Sequence, residues 1–333
     1  MLKAVNAKWF GLLASAAVTL LAFAGSVLLG TTTLSWSSLW QMVTAYDPAN
    51  VVHIILYTER LPRAVVGALV GASLAMSGVL MQTMTRNPLA SPGILGINAG
   101  AMFFVVVAVS LLPLHTPAHY AGAALLGALV AASLVALLSR GRYGENSPLR
   151  VVLAGVAVTA MFVSFSQGLL VMDQQSFESV LYWLAGSVAG RELNLVLPLL
   201  PLFGAASVLC ALLVRQANAL LLGDDMVTGL GMQAGTIKLL LCVAVIVLAG
   251  SSVALAGMIG FVGLIVPHMA RRLFGTDHRW LLPSAATLGA GLLLLADTAS
   301  RFLIPPQEVP VGVMTALIGT PFFIYLARRT LAR

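Results

Sequence analysis

The chain has 333 residues, of which 59% are hydrophobic and only 9% charged, with a formal net charge of +7. A soluble domain carries about 25% charged residues, so a mean hydropathy of +0.99 excludes a soluble enzyme, a nucleic-acid-binding domain and a disordered protein. The whole chain, 1–333, reads as a single all-α polytopic membrane domain.

A crossing needs about 20 apolar residues in a helix, and unpaired backbone is not tolerated in hydrocarbon. Runs without Lys, Arg, Asp or Glu cover 9–46, 64–85, 87–139, 151–172, 193–214, 239–270, 280–296 and 309–327. They are too long and too unbroken for barrel strands. The 53-residue run 87–139 would be about 80 Å long as one helix, so it turns back at the polar patch Pro113–His119. The run 239–270 is interrupted at Gly257, Gly260 and Gly263 and reads as one full and one short helix. Ten spans follow: 9–30, 64–83, 93–112, 119–139, 151–172, 193–214, 237–255, 258–270, 280–303 and 309–327. Ala22-Phe23-Ala24 resembles a leader cleavage site, but the apolar run continues to Gly30 and suits a retained span. Small pairs such as Gly67/Gly71 and Gly96/Gly100 predict close helix packing.

Basic residues orient the chain. With the N-terminus inside, 14 of the 18 Lys and Arg are cytoplasmic, and only Arg60, Arg63, Arg191 and Arg301 lie outside. Both termini are then cytoplasmic.

Several chemistries have no residues to carry them. No G-x-x-x-x-G-K-[ST] loop is present, so ATP is not bound by that route. No paired His array offers a metal or haem site, and Cys210 and Cys242 both sit in apolar runs where they pack as small hydrophobes. Asp297 is the best candidate for a mid-membrane ion relay, yet Arg301 four residues on makes a structural pair the better reading. An ion-coupled secondary transporter therefore has little support.

Long motifs carry a resemblance. Residues 60–101 read RLPRAVVGALVGASLAMSGVLMQTMTRNPLASPGILGINAGA. They are followed by LAGVAV at 153–158, YWLAGS at 182–187, ALLLGDDMVTGLGM at 219–232, GFVGLIVPHMARRLFGTDHR at 260–279, LLLADTASR at 293–301 and VPVGVMTALIGTPFFIYL at 309–326. In this order they resemble the FecCD-type permease subunits of ABC importers for ferric siderophores, haem and vitamin B12, most closely a ferric citrate or other ferric-siderophore permease. The resemblance implies a type II importer fold in the cytoplasmic (inner) membrane, paired with a second permease chain as a homo- or heterodimer. It also implies two ABC ATPase subunits, a periplasmic or extracellular substrate-binding protein, and contact with lipid but not nucleic acid. ATP and Mg would sit on the ATPase, with no cofactor on this chain.

The resemblance also assigns residues. The loop 219–232, with Leu220, Leu221, Leu222, Gly223, Asp224, Asp225, Gly229, Leu230 and Gly231, would be the ATPase-coupling segment: two short helices joined near Gly229 and Gly231, exposing three leucines that a mere connection has no reason to expose. Arg60, Arg63 and Arg301 would grip carboxylates of the binding protein, the alternative being lipid-headgroup anchoring or local pairs with Glu59 or Asp297. Asn87 and Leu89, in a turn imposed by Pro88, would form a cytoplasmic gate with Pro148 and Leu149. Pro267-His268 would end the eighth span, His268 being structural or ATPase-facing.

Overall fold

The computed structural model describes residues 5–30, 34–112, 114, 116–139, 148–172, 180, 181, 183–304 and 307–331. The described residues are helical with one isolated bridge, Ile304 to Gln307. In chain order the helices are α1 (Val5–Leu28), α2 (Trp36–Thr44), α3 (Val51–Ile55), α4 (Leu61–Thr85), α5 (Ile97–Ser110), α6 (Pro117–Leu138), α7 (Pro148–Met172) and α8 (Leu193–Val196). They continue with α9 (Leu200–Leu212), α10 (Val214–Leu220), α11 (Asp224–Gly229), α12 (Ala234–Ala256), α13 (Val262–Phe274), α14 (His278–Leu303) and α15 (Val311–Leu331).

Eight of the ten expected spans each overlap a single helix; the sixth, 193–214, is divided between α8 and α9 by a turn at 197–199. Six spans are long and apolar enough to cross a membrane by themselves, α9 with α10 forms a further pair bent by 58°, and α5 and α15 are shorter apolar helices. The eighth expected span differs: α13 starts at Val262 rather than 258 and runs to Phe274. Phe261 is the reason for the start, since its left-handed backbone (φ 65°) cannot continue a helix from Gly257. Pro267 therefore lies inside α13, and Arg271 and Arg272 occupy its last turn, where the dipole favours them. The amphipathic α2 falls within the uncharged run 9–46 and was not expected; its signal is Ser35, which caps it by accepting from the Ser38 N–H at 3.2 Å.

α4 occupies the middle of the bundle, packed by α12, α13 and α14. A π-helical turn, Leu56–Arg60, leads into it without a break. Two crossings bring backbone onto backbone. A Cβ on Gly71 would lie 2.3 Å from the Gly289 carbonyl oxygen of α14, and one on Gly78 would lie 1.9 Å from that of Gly263 in α13. Only glycine permits either approach. Gly260, by contrast, faces open space. At its membrane-entry end α1 is tied to α14 by Thr19 Oγ1 donating to the Thr287 carbonyl at 2.8 Å and by Trp9 edge-on to Trp280 at 5.1 Å.

Candidate functional site: two ionic clusters and the loop 219–232

Nearly all the ion pairs of the described residues fall into two groups at opposite ends of α4. At its N-terminal end, on the side assigned to the exterior, Asp297 of α14 is the hub. Arg63 donates to it through Nε (2.9 Å to Oδ2) and Nη2 (2.9 Å to Oδ1), a bidentate fork. Arg301, one turn along α14, donates to the same Oδ2 at 2.6 Å. The third Arg63 nitrogen, Nη1, reaches Glu308 at 2.6 Å. Arg301 also donates to the Ser26 carbonyl at 2.7 Å and the Leu29 carbonyl at 2.8 Å, closing the C-terminal end of α1. Side-chain exposure is 3% for Asp297 and 0% for Arg301, so the pair is dry.

The three outer arginines are therefore gathered in one place but turned inward. Arg63 and Arg301 make the local pair with Asp297, and no described ion pair uses Glu59. Arg60 is buried, held by Nη1 donating to the Leu29 carbonyl at 3.0 Å, and has no carboxylate partner among the described residues. Arg60, Arg63 and Arg301 are matched in number by Asp297, Glu308 and Glu59, the last adjacent to Arg60 and near enough to act on its charge. The assignment of a relay role to Asp297 loses its basis, because both its oxygens are committed to arginine.

At the other end, on the side assigned to the cytoplasm, the hub is Asp224, first residue of α11. Arg86 Nη2 and Lys238 Nζ each donate to it at 2.5 Å, and Arg86 Nε reaches the Leu220 carbonyl at 3.2 Å. Arg86 caps α4 in the left-handed conformation, φ 49°. This aims its side chain back at the loop. Burial pushes the Asp224 carboxyl up, but hydrogen bonding and charge from Lys238 and Arg86 outweigh it and hold the group below the ordinary carboxylate range. Asp277, N-cap of α14, is likewise held low: burial opposes it, while the Arg279 N–H and the Asn218 amide favour the anion.

The loop 219–232 does contain two short helices, but they meet at Leu221–Gly223, not near Gly229 and Gly231. Gly223 has φ 119°, a conformation that breaks the chain direction, and Gly229 instead ends α11. The three leucines separate accordingly. Leu220 is 1% exposed and belongs to the core, whereas Leu221 and Leu222 are 42% and 63% exposed. Met226 and Leu230 add to the same exposed apolar surface, with Asp225 beside them. Leu220 closes α10 and faces the core, while Leu221 and Leu222 lie in the turn that follows and are left outside.

In the turn after α4, Asn87 Oδ1 accepts from the Leu89 N–H at 2.9 Å, folding the asparagine onto its own backbone. Asn87 is exposed and Leu89 half-buried; Leu149 is exposed in the first turn of α7, which Pro148 begins. His268 packs edge-on against Phe322 at 5.8 Å. Among the described residues no group of three or more His, Cys, Asp or Glu could hold a metal. Sequence reasoning missed Lys238 and Arg86 as partners of Asp224. It also missed the polar set Thr83, Asn218 and His278, whose signal was hydrogen-bonding side chains inside or beside apolar runs.

Comparison with known proteins places this architecture. The model of the FecCD transport family matches residues 18–329. A Bacillus subtilis (strain 168) protein named a probable siderophore transport system permease protein, YfiZ, is 47% identical over 328 residues, covering 98% of both chains. The hemin transport system permease protein HmuU of Yersinia pestis is 39% identical, with 91% of each chain covered. Among solved structures, the inward-facing conformation of a metal-chelate type ABC transporter superposes with a TM-score of 0.81 at 30% identity, covering 98% of this chain and 99% of that one.

Proposed function

The chain belongs to the FecCD transport family, and from that membership we propose that it is the permease subunit of an ATP-driven importer carrying a ferric siderophore across the cytoplasmic membrane. The observation that carries the reading is the loop 219–232. It presents Leu221, Leu222, Met226 and Leu230 to water beside Asp225, on the side where most basic residues lie. An exposed apolar patch on a cytoplasmic loop marks a protein contact, and a chain without a phosphate-binding loop needs one with an ATPase. Two ATPase subunits, a second permease chain and an external binding protein complete the assembly.

In this reading the outer arginine cluster receives a carboxylate of the binding protein. Arg60, which makes no direct ion pair among the described residues, favours an anionic group, while Arg63 and Arg301 fix the floor beneath it. Asn87, Leu89, Pro148 and Leu149 stand at the cytoplasmic mouth as gate residues. A siderophore, rather than haem or vitamin B12, is favoured by the greater likeness to YfiZ than to HmuU. Coupling to an ion gradient is disfavoured by the double arginine commitment of Asp297.

The test is uptake by vesicles holding the assembled transporter, with ferric citrate and a ferric hydroxamate as probes. Transport should require internal ATP and external binding protein. Leu222→Asp should leave the permease folded and abolish ATP-dependent uptake. Uptake driven by a proton gradient alone, or unimpaired in Leu222→Asp, would overturn the reading.

A further inference from the structure

The loop that meets the ATPase in the reading above is fastened to the membrane core by a chain of hydrogen bonds as well as by its own ends. Asn218, near the end of α10, accepts through Oδ1 from the His278 backbone N–H at 2.9 Å and lies 2.7 Å from His278 Nδ1. Its Nδ2 donates to Asp277 at 2.7 Å. The other ring nitrogen, Nε2, is 2.8 Å from Thr83 Oγ1 on α4. Roles are fixed by chemistry. A backbone N–H can only donate, so Asn218 turns its oxygen to His278 and its amide to the Asp277 carboxylate. Nδ1 then carries a proton toward Asn218, Thr83 donates its hydroxyl proton to the Val79 carbonyl at 2.8 Å, and His278 Nε2 and Thr83 Oγ1 form the remaining link. His278 and Thr83 are buried, where such bonds are costly to leave unmade.

Capping of α14 explains only one of these bonds, that from the His278 N–H, the first of the helix, to Asn218. Asp277 already caps that helix by accepting from the Arg279 N–H at 3.0 Å, without Asn218. Nor is α10 continuous with a straight helix on either side. The chain bends by 58° between α9 and α10, and Leu221–Gly223 breaks it on the other side. The other ties are lateral, and they converge on one helix: Thr83, through His278, and Arg86, through the Leu220 carbonyl. These two sit three residues apart at the C-terminal end of α4.

We propose that Asn218, His278 and Thr83 are positioning residues through which movement of the coupling loop is delivered to α4. The proposal rests on the reading of 219–232 as the ATPase contact. The experiment measures ATP hydrolysed per ferric complex imported, in vesicles holding the complete transporter, with whichever of ferric citrate and the ferric hydroxamate the wild type imports. Thr83→Val, which keeps the shape and deletes the hydroxyl, and Asn218→Ala should each raise that ratio roughly tenfold. The double variant should be no worse than either alone, because links in series fail once. A purely architectural role would lower thermal stability and leave the ratio unchanged in Thr83→Val; that result, or effects that multiply in the double variant, overturns the proposal. If Asn218→Ala does not assemble, Thr83→Val decides alone. Wild-type vesicles that import neither probe with ATP take down the functional reading, and the joint with it.

Discussion

The two ends of α4 are built from the same kind of ion pair and put it to opposite uses. Outside, Asp297 is 3% exposed between two arginines; inside, Asp224 is 46% exposed between Arg86 and Lys238. Charge withdrawn from water has to be paired or it costs several kcal/mol, so the outer cluster holds α1, α4 and α14 in one arrangement. Charge left in water is attracted weakly and screened by salt, so the inner cluster can open and close at little cost. A static, dry anchor faces the exterior and a yielding, wet clasp faces the cytoplasm, where the loop would move with a partner.

The sharpest way to break this contrast is at the hubs. Asp297→Asn leaves the Arg63 and Arg301 charges buried without a carboxylate between them and should cost about 3–5 kcal/mol, read as a fall in thermal unfolding temperature of the detergent-solubilised protein. Added salt should not alter that loss. Asp224→Asn should cost no more than about 1 kcal/mol while lowering transport per ATP, and the wild-type clasp should weaken as salt rises. A loss at Asp224 equal to that at Asp297 would erase the distinction between anchor and clasp.

The smallest effect concerns pH. Asp224 has its carboxyl held below the ordinary range in the fold, so its contribution is complete above the unfolded value. It is lost as pH falls through the lower, folded value. Stability measured from neutral to acidic pH should show a modest decline in that acidic window, smaller in Asp224→Asn, where Asp277 still contributes. A decline that begins near neutrality would point to another group.

Much of the fold was legible because hydrocarbon imposes a coarse rule: long uncharged runs must be helices. All ten segments are built from helix, the sixth interrupted by a turn, and the Asp297–Arg301 pair announced itself by i,i+4 spacing. Contacts made across the bundle were not legible. Arg63 joins Asp297 from 234 positions away, and nothing local distinguishes an arginine that turns inward from one that waits for a partner. The leucines at 220–222 were recognisable as a patch, but which of them is buried depends on a left-handed glycine that follows them. Thr83, Asn218 and His278 were invisible for the same reason as Arg63: each is unremarkable until the other two are brought beside it.

α4 and α14 run antiparallel and touch at three heights: Arg63 with Asp297, Gly71 with Gly289, and Thr83 with His278. Eight positions separate Arg63 from Gly71 and eight separate Gly289 from Asp297, while twelve and eleven separate the inner points. The two helices thus count together from one membrane face to the other. Substitution at intervening sites leaves that tally intact, but inserting or deleting a single residue would turn everything beyond it by about 100°. At least one of the three meetings would then be lost, which makes this stretch far less tolerant of length changes than of changes in spelling.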